Sequence, residues 1–317
     1  MSQSAVCKQS VDGVLLLDKP RGITSNAAIQ QVKRLLRAIK VGHVGTLDPL
    51  ASGMLPVCLG EATKFSTSTF AADKSYEAEI HLGITTTTGD SEGSITSRLP
   101  VSVSRDQVEH VIRKFTGTIA QIPPMYSALK RAGKPLYAYA RAGQTVELQP
   151  RNVTIHSLIL RDFAIDRVRV RVHCSKGTYI RVLAEDIGRE LGCGATLSAL
   201  RRTTVGKLDL ERAIDLDRLA AVDEAQRMKY VLPVDTLVSE LAELQLDEVL
   251  TKRILMGQSC QLGAGAVAQT CGLVRLYGVH RQFLGLGNIV PGQILAPKRL
   301  VSTQELPRNH PQPPKIA

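Results

Sequence analysis

Apolar residues recur at two spacings along the chain, and the shorter spacing predicts strands. In residues 75–84 (SYEAEIHLGI), every second residue from Tyr76 to Leu82 is apolar, which is typical of a half-buried strand. Residues 166–174 (DRVRVRVHC) place three valines on one side of a second strand, with two arginines and a histidine on the other. A short apolar run, GVLLLDKP (13–20), predicts a further strand that ends at its proline.

The longer spacing, in which apolar residues return after three or four positions, predicts helices. One of them begins at a cap formed by Ser25, and another begins with a capping box of Ser104 and Gln107. We interpret Asp215 and Asp217 as helix-start residues rather than metal ligands. The predicted helices cover residues 25–39, 104–117, 178–192, 215–231 and 247–257.

A basic row accompanies the first predicted helix. Lys33, Arg37 and Lys40 follow helical spacing beside an apolar stripe that ends at Ile39. A solvated helix surface and a phosphate-facing role both fit such a row, and the pattern does not choose between them.

The order of these elements predicts an α+β fold with a mixed sheet, because strands and helices do not alternate regularly enough for a doubly wound parallel sheet. Composition shifts near residue 245, and short glycine-punctuated strands follow to about residue 300. We therefore predict a large first domain over residues 1–236 and a small β-rich domain over residues 237–302. The proline-rich segment 303–317 is predicted to be a disordered tail.

Charge narrows the class of partner. The 317 residues carry 40 Lys plus Arg against 29 Asp plus Glu, a net charge of +11. Such an excess favours a polyanion, either nucleic acid or an anionic membrane face. No apolar run is long enough to span a bilayer and no secretion signal is evident, so we expect a cytoplasmic protein. The six cysteines have neither C-x-x-C spacing nor a neighbouring histidine, so their spacing predicts neither a disulfide framework nor a zinc site.

One loop carries candidate chemistry. The stretch VGHVGTLDPLASGML (41–55) has no hydrophobic period, three glycines and one acid, Asp48, which precedes a proline. Asp-Pro by itself is most often a turn or a cap, but glycines allow a ligand to approach the backbone closely. His43 lies on the same loop, where a structural hydrogen-bonding role is the alternative to a functional one. Phosphate-loop, dinucleotide-binding, zinc-protease and serine-hydrolase motifs are absent from the sequence.

Four segments together resemble one known family. The stretches LLLDKPRGITS, GHVGTLDPLASGMLPVCLGEATKFS, YSALK and CSKGTYIRVLAEDIG are similar, in order and wording, to the bacterial TruB family of tRNA pseudouridine-55 synthases. The similarity extends from about residue 13 to 206. The C-terminal β segment looks, more loosely, like the small PUA-like RNA-binding domain of that family.

The resemblance implies a mixed-sheet pseudouridine-synthase domain flanked by helices and a substrate, the TψC stem-loop of tRNA. It implies catalysis by Asp48 without a metal or any other cofactor. A monomer with no obligate protein partner is expected. The resemblance also assigns substrate-binding residues: a partner for Asp48 (Arg181), a tyrosine stacked on the base and able to take its C5 proton (Tyr76), and further contacts to the flipped nucleotide (His43, Tyr179 and Leu200).

Alternatives accompany these assignments. Tyr76 could be an ordinary core tyrosine and Arg181 a surface helix arginine. Lys19 and Pro20 match a motif expected to brace the catalytic loop, and the Thr- and Gly-rich segment 85–93 is predicted to be a mobile loop. Two other functions remain open: a guide-RNA-dependent pseudouridine synthase subunit, inactive on bare tRNA, and a non-catalytic RNA chaperone.

Overall fold

The computed structural model describes residues 10–69, 72–127, 129–263 and 271–302. The predicted disordered tail, 303–317, lies outside the described residues. Within the described ranges the strands, in chain order, are β1 (Gly13–Lys19), β2 (Val41–His43), β3 (Ala51–Leu59), β4 (Lys74–Leu82), β5 (Ile84–Thr86), β6 (Ile95–Arg98), β7 (Gly117–Gln121), β8 (Lys130–Arg131), β9 (Lys134–Pro135), β10 (Arg151–Ala164), β11 (Arg167–Cys174), β12 (Ala195–Val205), β13 (Leu208–Asp209), β14 (Ile214–Asp215), β15 (Val231–Leu232), β16 (Ala242–Gln245), β17 (Cys260–Gln261), β18 (Gly272–Tyr277), β19 (Phe283–Val290) and β20 (Ile294–Leu300).

Helices are shorter than the sequence predicts. They are α1 (Ser25–Leu35), α2 (Ser66–Thr69), α3 (Arg105–Lys114), α4 (Leu136–Arg141), α5 (Ile180–Glu190), α6 (Leu216–Ala221), α7 (Glu224–Arg227) and α8 (Glu248–Leu255), with short 3-10 helices over Gly60–Lys64, Leu210–Arg212, Met228–Tyr230 and Val234–Val238. The predicted capping box of α3 is confirmed, because Ser104 accepts from the Gln107 amide and the Gln107 side chain accepts from the Ser104 amide. Asp215 caps α6, as interpreted from the sequence.

Two helix predictions are wrong in detail. Thr24, not Ser25, caps α1, and the helix ends at Leu35, so the predicted basic row does not lie on one helix. Arg37 adopts a φ of 50° and Ile39 is 58% exposed. The single helix predicted over 215–231 is divided into α6, α7 and a 3-10 turn, because Val222 is extended and Asp223 begins a new helix.

A mixed sheet forms the larger part of the molecule, which confirms the α+β prediction. Its main path runs β14-β1-β3-β12-β4-β11-β10-β7, and β2, β13 and β15 pair beside it. The pairs β1–β14 and β12–β3 are parallel and the others are antiparallel. The two strands predicted from alternation at 75–84 and 166–174 are present as β4 and β11, and they pair from Lys74–Cys174 to His81–Arg167. Among the described residues, no helix is long and apolar enough to cross a membrane.

The predicted alternation decides which side of the sheet is covered. Every second residue of β4, from Tyr76 to Leu82, is buried, as are the three valines of β11. They pack with α3 and α5 into one cluster, which also includes Leu50 at the start of β3. A second cluster lies under α1 and α6 and includes Leu47. The loop that carries Asp48 therefore lies between two parts of the core.

The C-terminal residues form a separate five-stranded sheet, β16-β18-β19-β20-β17, as the β-rich prediction required. A third apolar cluster joins the two sheets. It contains Val14 and Phe65 from the first part and Leu286 and Val301 from the second. The rings of Phe65 and Phe283 meet edge to face at 5.3 Å. The 3-10 helix Val234–Val238 contributes to the same cluster, so it forms part of the contact between the two sheets.

The Thr- and Gly-rich segment 85–93 is held by contacts to neighbouring strands. Strands β5 and β6 pair as a hairpin on either side of it. Asp90, in the middle of the segment, is 3% exposed and forms a bridge to Leu197 of β12. The segment is thus attached to the main sheet at Asp90, and its mobility stays a prediction.

Candidate active site

The catalytic-loop candidate, residues 44–50, connects β2 to β3, and the Ser25 side chain holds its backbone in place. The Ser25 hydroxyl donates to the Leu47 carbonyl and accepts from the Leu47 amide, both at 2.8 Å. The Asp48 carbonyl then accepts from the Ala51 amide at 3.1 Å, which closes a turn. Because Ser25 is engaged in this way, the capping of α1 passes to Thr24.

Lys19 supports the loop from the other side through a short turn. It is fully buried, and its ammonium donates to the carbonyls of Pro20 at 2.9 Å and Ile23 at 2.7 Å. Gly22, within that turn, donates its amide to the Pro49 carbonyl at 2.8 Å. Burial lowers the pKa of Lys19 to about 8. These contacts agree with the bracing role predicted for Lys19 and Pro20.

Arg181 contacts Asp48 directly. Its Nε atom lies 3.1 Å from Oδ2 of Asp48 and 3.6 Å from Oδ2 of Asp90. The predicted pairing is therefore present, and at 5% exposure Arg181 is not a surface arginine. The two terminal nitrogens of Arg181 donate to the carbonyls of Thr88 at 2.9 Å and Tyr126 at 2.8 Å, which fixes the orientation of the guanidinium.

Asp90 is a residue that sequence reasoning missed. Its carboxylate accepts from the Thr88 hydroxyl at 2.5 Å and from the Glu92 amide at 3.1 Å, so one side chain organises the hairpin turn beside Arg181. The available signal was a lone aspartate after a glycine within TTTTGDSEG, which we interpreted only as a loop. A buried carboxylate requires a partner, and Arg181 is that partner.

The electrostatics of Asp48 result from three opposing effects. Burial raises the pKa of Asp48, the Arg181 guanidinium lowers it, and the Asp90 carboxylate raises it again. Although 44% of the side chain remains exposed, the net direction is upward. The Asp48 carboxylate is therefore reachable from solvent, fixed by one arginine, and easier to protonate than an ordinary aspartate.

Tyr76 and Leu200 lie on adjacent strands and share the covered side of the sheet. Leu200 is the cross-strand partner of Ala78 on β4 and of Ala51 on β3, just after the loop. Tyr76 is 7% exposed, and burial raises its pKa. Tyr76 is therefore part of the core, as its alternative interpretation held. Its role as the tyrosine stacked on the base stays a prediction.

Arg202 was also missed, although it is the largest fully buried side chain in the described residues. Its Nε donates to the Met54 carbonyl and one terminal nitrogen donates to the Gly45 carbonyl, each at 2.7 Å. Arg202 thus holds the chain on both sides of Asp48. It is also the cross-strand partner of Tyr76. Consecutive arginines in the strand motif LRRT were the signal, because strand neighbours point to opposite faces.

Gly53 explains how β3 and β12 come so close beside Arg202. A Cβ atom on Gly53 would lie 2.2 Å from the Arg202 carbonyl oxygen, and its φ is 98°. No other residue type fits that space and that backbone conformation. One of the three glycines in the loop motif is therefore required for strand packing.

The two remaining predicted residues, His43 and Tyr179, contact parts of the surrounding framework. The His43 Nε2 atom lies 3.3 Å from the Thr46 hydroxyl, and burial together with Arg202 lowers the pKa of His43. Tyr179 precedes α5, where Gln121 bonds its amide at 3.1 Å and its carbonyl at 3.3 Å. Helix α5 begins directly after Tyr179, and Arg181 in its first turn reaches Asp48.

This arrangement has limited chemical options. An ionised carboxylate can attack an electrophilic carbon or accept a proton, and the arginine keeps it ionised and in one orientation. The cation beside Asp48 and Asp90 is Arg181, which comes from the protein itself. The described geometry therefore fits acid–base or nucleophilic chemistry on a ligand that enters from solvent.

Family models match most of the chain. A model for the TruB family pseudouridylate synthase N-terminal domain matches residues 33–180. Models for the tRNA pseudouridylate synthase B C-terminal domain and for the C-terminal domain of pseudouridine synthase II TruB match residues 181–239 and 242–301. All the predicted site residues lie within the first two matches.

Similar proteins agree with the family models. A tRNA pseudouridine synthase B of Aromatoleum aromaticum is 53% identical over 296 residues, covering 93% of this chain and 94% of its own. That of Burkholderia mallei is 52% identical over 301 residues, covering 94% and 99%.

Solved structures share the fold at lower identity. An H/ACA ribonucleoprotein bound to a substrate RNA containing 2′-deoxyuridine has a chain with a TM-score of 0.69 and 25% identity, covering 93% of this chain and 86% of its own. A Cbf5–Nop10–Gar1 complex has a chain with a TM-score of 0.67 and 27% identity, covering 94% and 81%. On these matches and on the geometry above, the chain belongs to the TruB family of pseudouridylate synthases.

Proposed function

We propose that this chain is a tRNA pseudouridine synthase that converts uridine 55 of the TψC loop to pseudouridine. The observation that carries the proposal is the Asp48 carboxylate, which is open to solvent and has the Arg181 Nε 3.1 Å from Oδ2. Relatives more than 50% identical over nearly the whole chain are named tRNA pseudouridine synthase B, which supports the same substrate class here.

Asp48 can supply the carboxylate that this reaction requires. Pseudouridine forms when the N1–C1′ bond of uridine breaks, the base turns, and C5 bonds to C1′. An ionised carboxylate can attack C1′, or it can remove a sugar proton and stabilise the charge that develops on the sugar. The C5 proton moves to N1 in the course of the reaction, so the atoms balance within one nucleotide. Both routes require the ionised form of Asp48, which Arg181 favours.

The surrounding residues are assigned to the base. A uridine stacked in the tRNA elbow must leave its stack before Asp48 can reach its sugar. We assign Leu200 and Tyr76 to the wall against which the flipped base lies. Because burial raises the pKa of Tyr76, its phenol is neutral, so it accepts the C5 proton as it gives up its own hydroxyl proton, and the N1 position gains one proton in return. His43, kept neutral by its lowered pKa, and Tyr179 complete the contacts.

Docking is assigned to the basic surface and to the C-terminal sheet. A net charge of +11 favours phosphate binding through release of counterions. The proposed catalytic and base-contacting residues lie between 43 and 200, and none of them is in the C-terminal sheet. We therefore assign that sheet to RNA binding rather than to the chemistry. Lys298 and Arg299 are exposed on β20. Replacing both with Gln should raise the tRNA concentration needed for half-saturation and leave the single-turnover rate at saturation unchanged.

The proposal includes action without an obligate protein partner or guide RNA, as a monomer in the cytoplasm, where tRNA substrates are found. The structurally similar chains occur in ribonucleoproteins or partner complexes, and a guide-dependent mode is the competing candidate. The two candidates differ in one measurable respect, which is activity of the isolated chain on bare tRNA.

The test is incubation of the purified chain with an unmodified tRNA transcript, followed by mapping of pseudouridine. We expect modification at position 55 that weakens with added salt. Asp48→Asn should bind the transcript normally and lose at least ~3 decades of rate, or ~4 kcal/mol of transition-state stabilisation, because the amide can neither attack nor accept a proton. An inactive wild-type chain would favour guide dependence, and a fully active Asp48→Asn variant would remove Asp48 from the chemistry.

A further inference from the structure

Three potential metal-binding side chains meet on the side of the main sheet opposite Tyr76. They are Asp73, just before β4, His156 on β10 and His173 on β11. One ligand atom from each lies within 4.8 Å of the other two. Oδ2 of Asp73 is 3.1 Å from Nε2 of His156, and the two imidazole rings have centroids 4.9 Å apart. This cluster has no part in the proposed reaction.

A β-bulge brings His156 into the cluster. Strand β10 pairs with β11 through Ile155–Cys174 and then through Ser157–His173, so His156 is the extra residue between two successive pairs. Bulges change the direction in which a side chain points. Here the result is a histidine beside His173, a neighbour that regular alternation would not supply.

The neighbouring Ser75 hydroxyl orients one of the histidines. It lies 3.1 Å from Nδ1 of His173, and the two residues are cross-strand partners. A hydrogen bond to one ring nitrogen is the usual way in which proteins hold a metal-binding histidine. The cluster therefore has two imidazoles and a carboxylate, with one ring already held in place.

We propose that Asp73, His156 and His173 form a binding site for a zinc-class divalent transition ion. Two imidazole nitrogens and one carboxylate oxygen suit Zn²⁺, whose tetrahedral ligands lie about 3.3 Å apart. The Asp73–His156 separation of 3.1 Å is already close to that value. His156 and Asp73 keep 38% and 45% of their side chains exposed, which leaves room for water at the fourth position. Mg²⁺ prefers all-oxygen ligands and does not fit.

The charged groups around the cluster limit its affinity but do not block it. Lys74 is adjacent in sequence to Asp73, but its ammonium is buried and donates to the Ala72 carbonyl at 2.5 Å. Arg171 points to the same side of β11 and is within 3.6 Å of Glu77. Asp73 supplies the negative charge that faces the two imidazoles. An ion bound here cross-links three segments next to β4, so its expected effect is on stability rather than on chemistry.

The experiment uses the full-length chain without an affinity tag, in a Cys271→Ser background that removes the exposed thiol among the described residues. Zn²⁺ binding is measured by calorimetry, and Co²⁺ serves as the spectroscopic probe of tetrahedral nitrogen and oxygen coordination. We expect one ion per chain and a melting temperature that rises with Zn²⁺. Mg²⁺ at the same concentration should leave the melting temperature unchanged.

Single substitutions identify the ligands. His156→Gln and Asp73→Asn should each weaken Zn²⁺ binding by at least about tenfold, and Ser75→Ala should weaken it by up to about tenfold through loss of ring orientation. The control is His280→Gln, since His280 is an exposed histidine on the C-terminal part of the chain. Metal-free variants with unchanged melting temperatures would show that the fold survives. Absence of binding, or binding that His156→Gln and Asp73→Asn leave intact, would overturn the proposal.

Discussion

The two sides of strands β4 and β11 carry charge in opposite ways. On the covered side, apolar residues surround a few charged groups, and Arg181, Arg202 and Asp90 are each 5% exposed or less. On the open side, glutamates of β4 stand directly opposite arginines of β11, as in the pairs Glu77–Arg171 and Glu79–Arg169. The same two strands therefore support both a buried ionic site and an exposed row of ion pairs.

This difference shows that burial, rather than the number of charges, determines how much a charged residue contributes to the stability of the protein. A buried charge whose partner is removed destabilises the protein by about 3–5 kcal/mol, whereas exposed pairs contribute between zero and about 1 kcal/mol. Substitutions of equal chemistry on the two sides should consequently differ severalfold. Four predictions examine that difference, beginning with the largest effect.

Replacement of Arg181 should have the largest effect. Arg181→Met removes the guanidinium that contacts Asp48 and the buried Asp90, so we expect a loss of at least ~2 decades in single-turnover rate, or about 3 kcal/mol. Arg181→Lys keeps the charge but cannot reach the carboxylates and the two carbonyls together, so it should retain part of the activity. In an Asp48→Asn background the same change should have little further effect.

Arg189→Met is the matched control for Arg181, since Arg189 lies on the same helix with 75% of its side chain exposed and pairs with Asp186. It should retain normal activity. If Arg181→Met were as active as this control, the Asp48 carboxylate would have to be held by another group, and the contrast between the two sides would not extend to function.

Replacement of Arg202 should lower stability more than any exposed arginine does. Arg202→Met removes the buried donors that the Gly45 and Met54 carbonyls accept from, and each buried group that loses its partner costs about 1–3 kcal/mol. We expect a decrease of about 3 kcal/mol in the free energy of unfolding, measured by urea denaturation. Its neighbour Arg201, which pairs with Asp18 and keeps 41% of its side chain exposed, is the control. Equal losses for Arg201→Met and Arg202→Met would contradict the prediction.

The pH dependence of the rate should change when Asp90 is neutralised. Because burial and Asp90 raise the pKa of Asp48, activity should fall on acidification at a higher pH than an ordinary aspartate would give. Asp90→Asn removes one of the two effects that raise this pKa. The acid limb of the single-turnover rate should therefore move to lower pH, while Asp106→Asn, at an exposed position in the first turn of α3, leaves it in place. A shift to higher pH would mean that Asp90 acts mainly by positioning Arg181.

The sequence predicted which residues face the core but only some of the contacts between distant segments. Strict alternation in β4 and β11 was sufficient to predict their covered sides, because the alternate residues of each strand are apolar and pack into one cluster with α3 and α5. The loop motif and its resemblance led to Asp48 and Arg181. Asp90 and Arg202 escaped, since the contacts that join them to the site are made with residues far away in the chain: Asp90 with Arg181, and Arg202 with the Gly45 and Met54 carbonyls.

The sequence could not predict the helix ends or the Asp73–His156–His173 cluster, for related reasons. A predicted cap at Ser25 failed because the buried Leu47 backbone competes for the same hydroxyl. Spacing could not predict the Asp73–His156–His173 cluster, because its members are separated by many residues and a bulge is needed to align them. Local patterns report local structure, and these features depend on tertiary contacts.

The smallest predicted effect concerns the open side itself. Glu77 and Arg171 lie 3.6 Å apart with about half of each side chain exposed, so Glu77→Gln should change the free energy of unfolding by less than about 0.5 kcal/mol.

Glu79 is less exposed and is bonded by Arg169 and Ser198, whose hydrogen bonds lower its pKa. Its stabilising contribution is present at neutral pH and is lost as the pH falls through that lowered pKa. Glu79→Gln should accordingly have the larger effect of the two, a decrease of about 1 kcal/mol in the free energy of unfolding, and high salt should reduce this effect. Thermal unfolding of both variants at neutral and acidic pH measures the difference. A loss of several kcal/mol at Glu77 would mean that exposed pairs on this sheet behave like the buried site, because burial would then no longer separate the two sides.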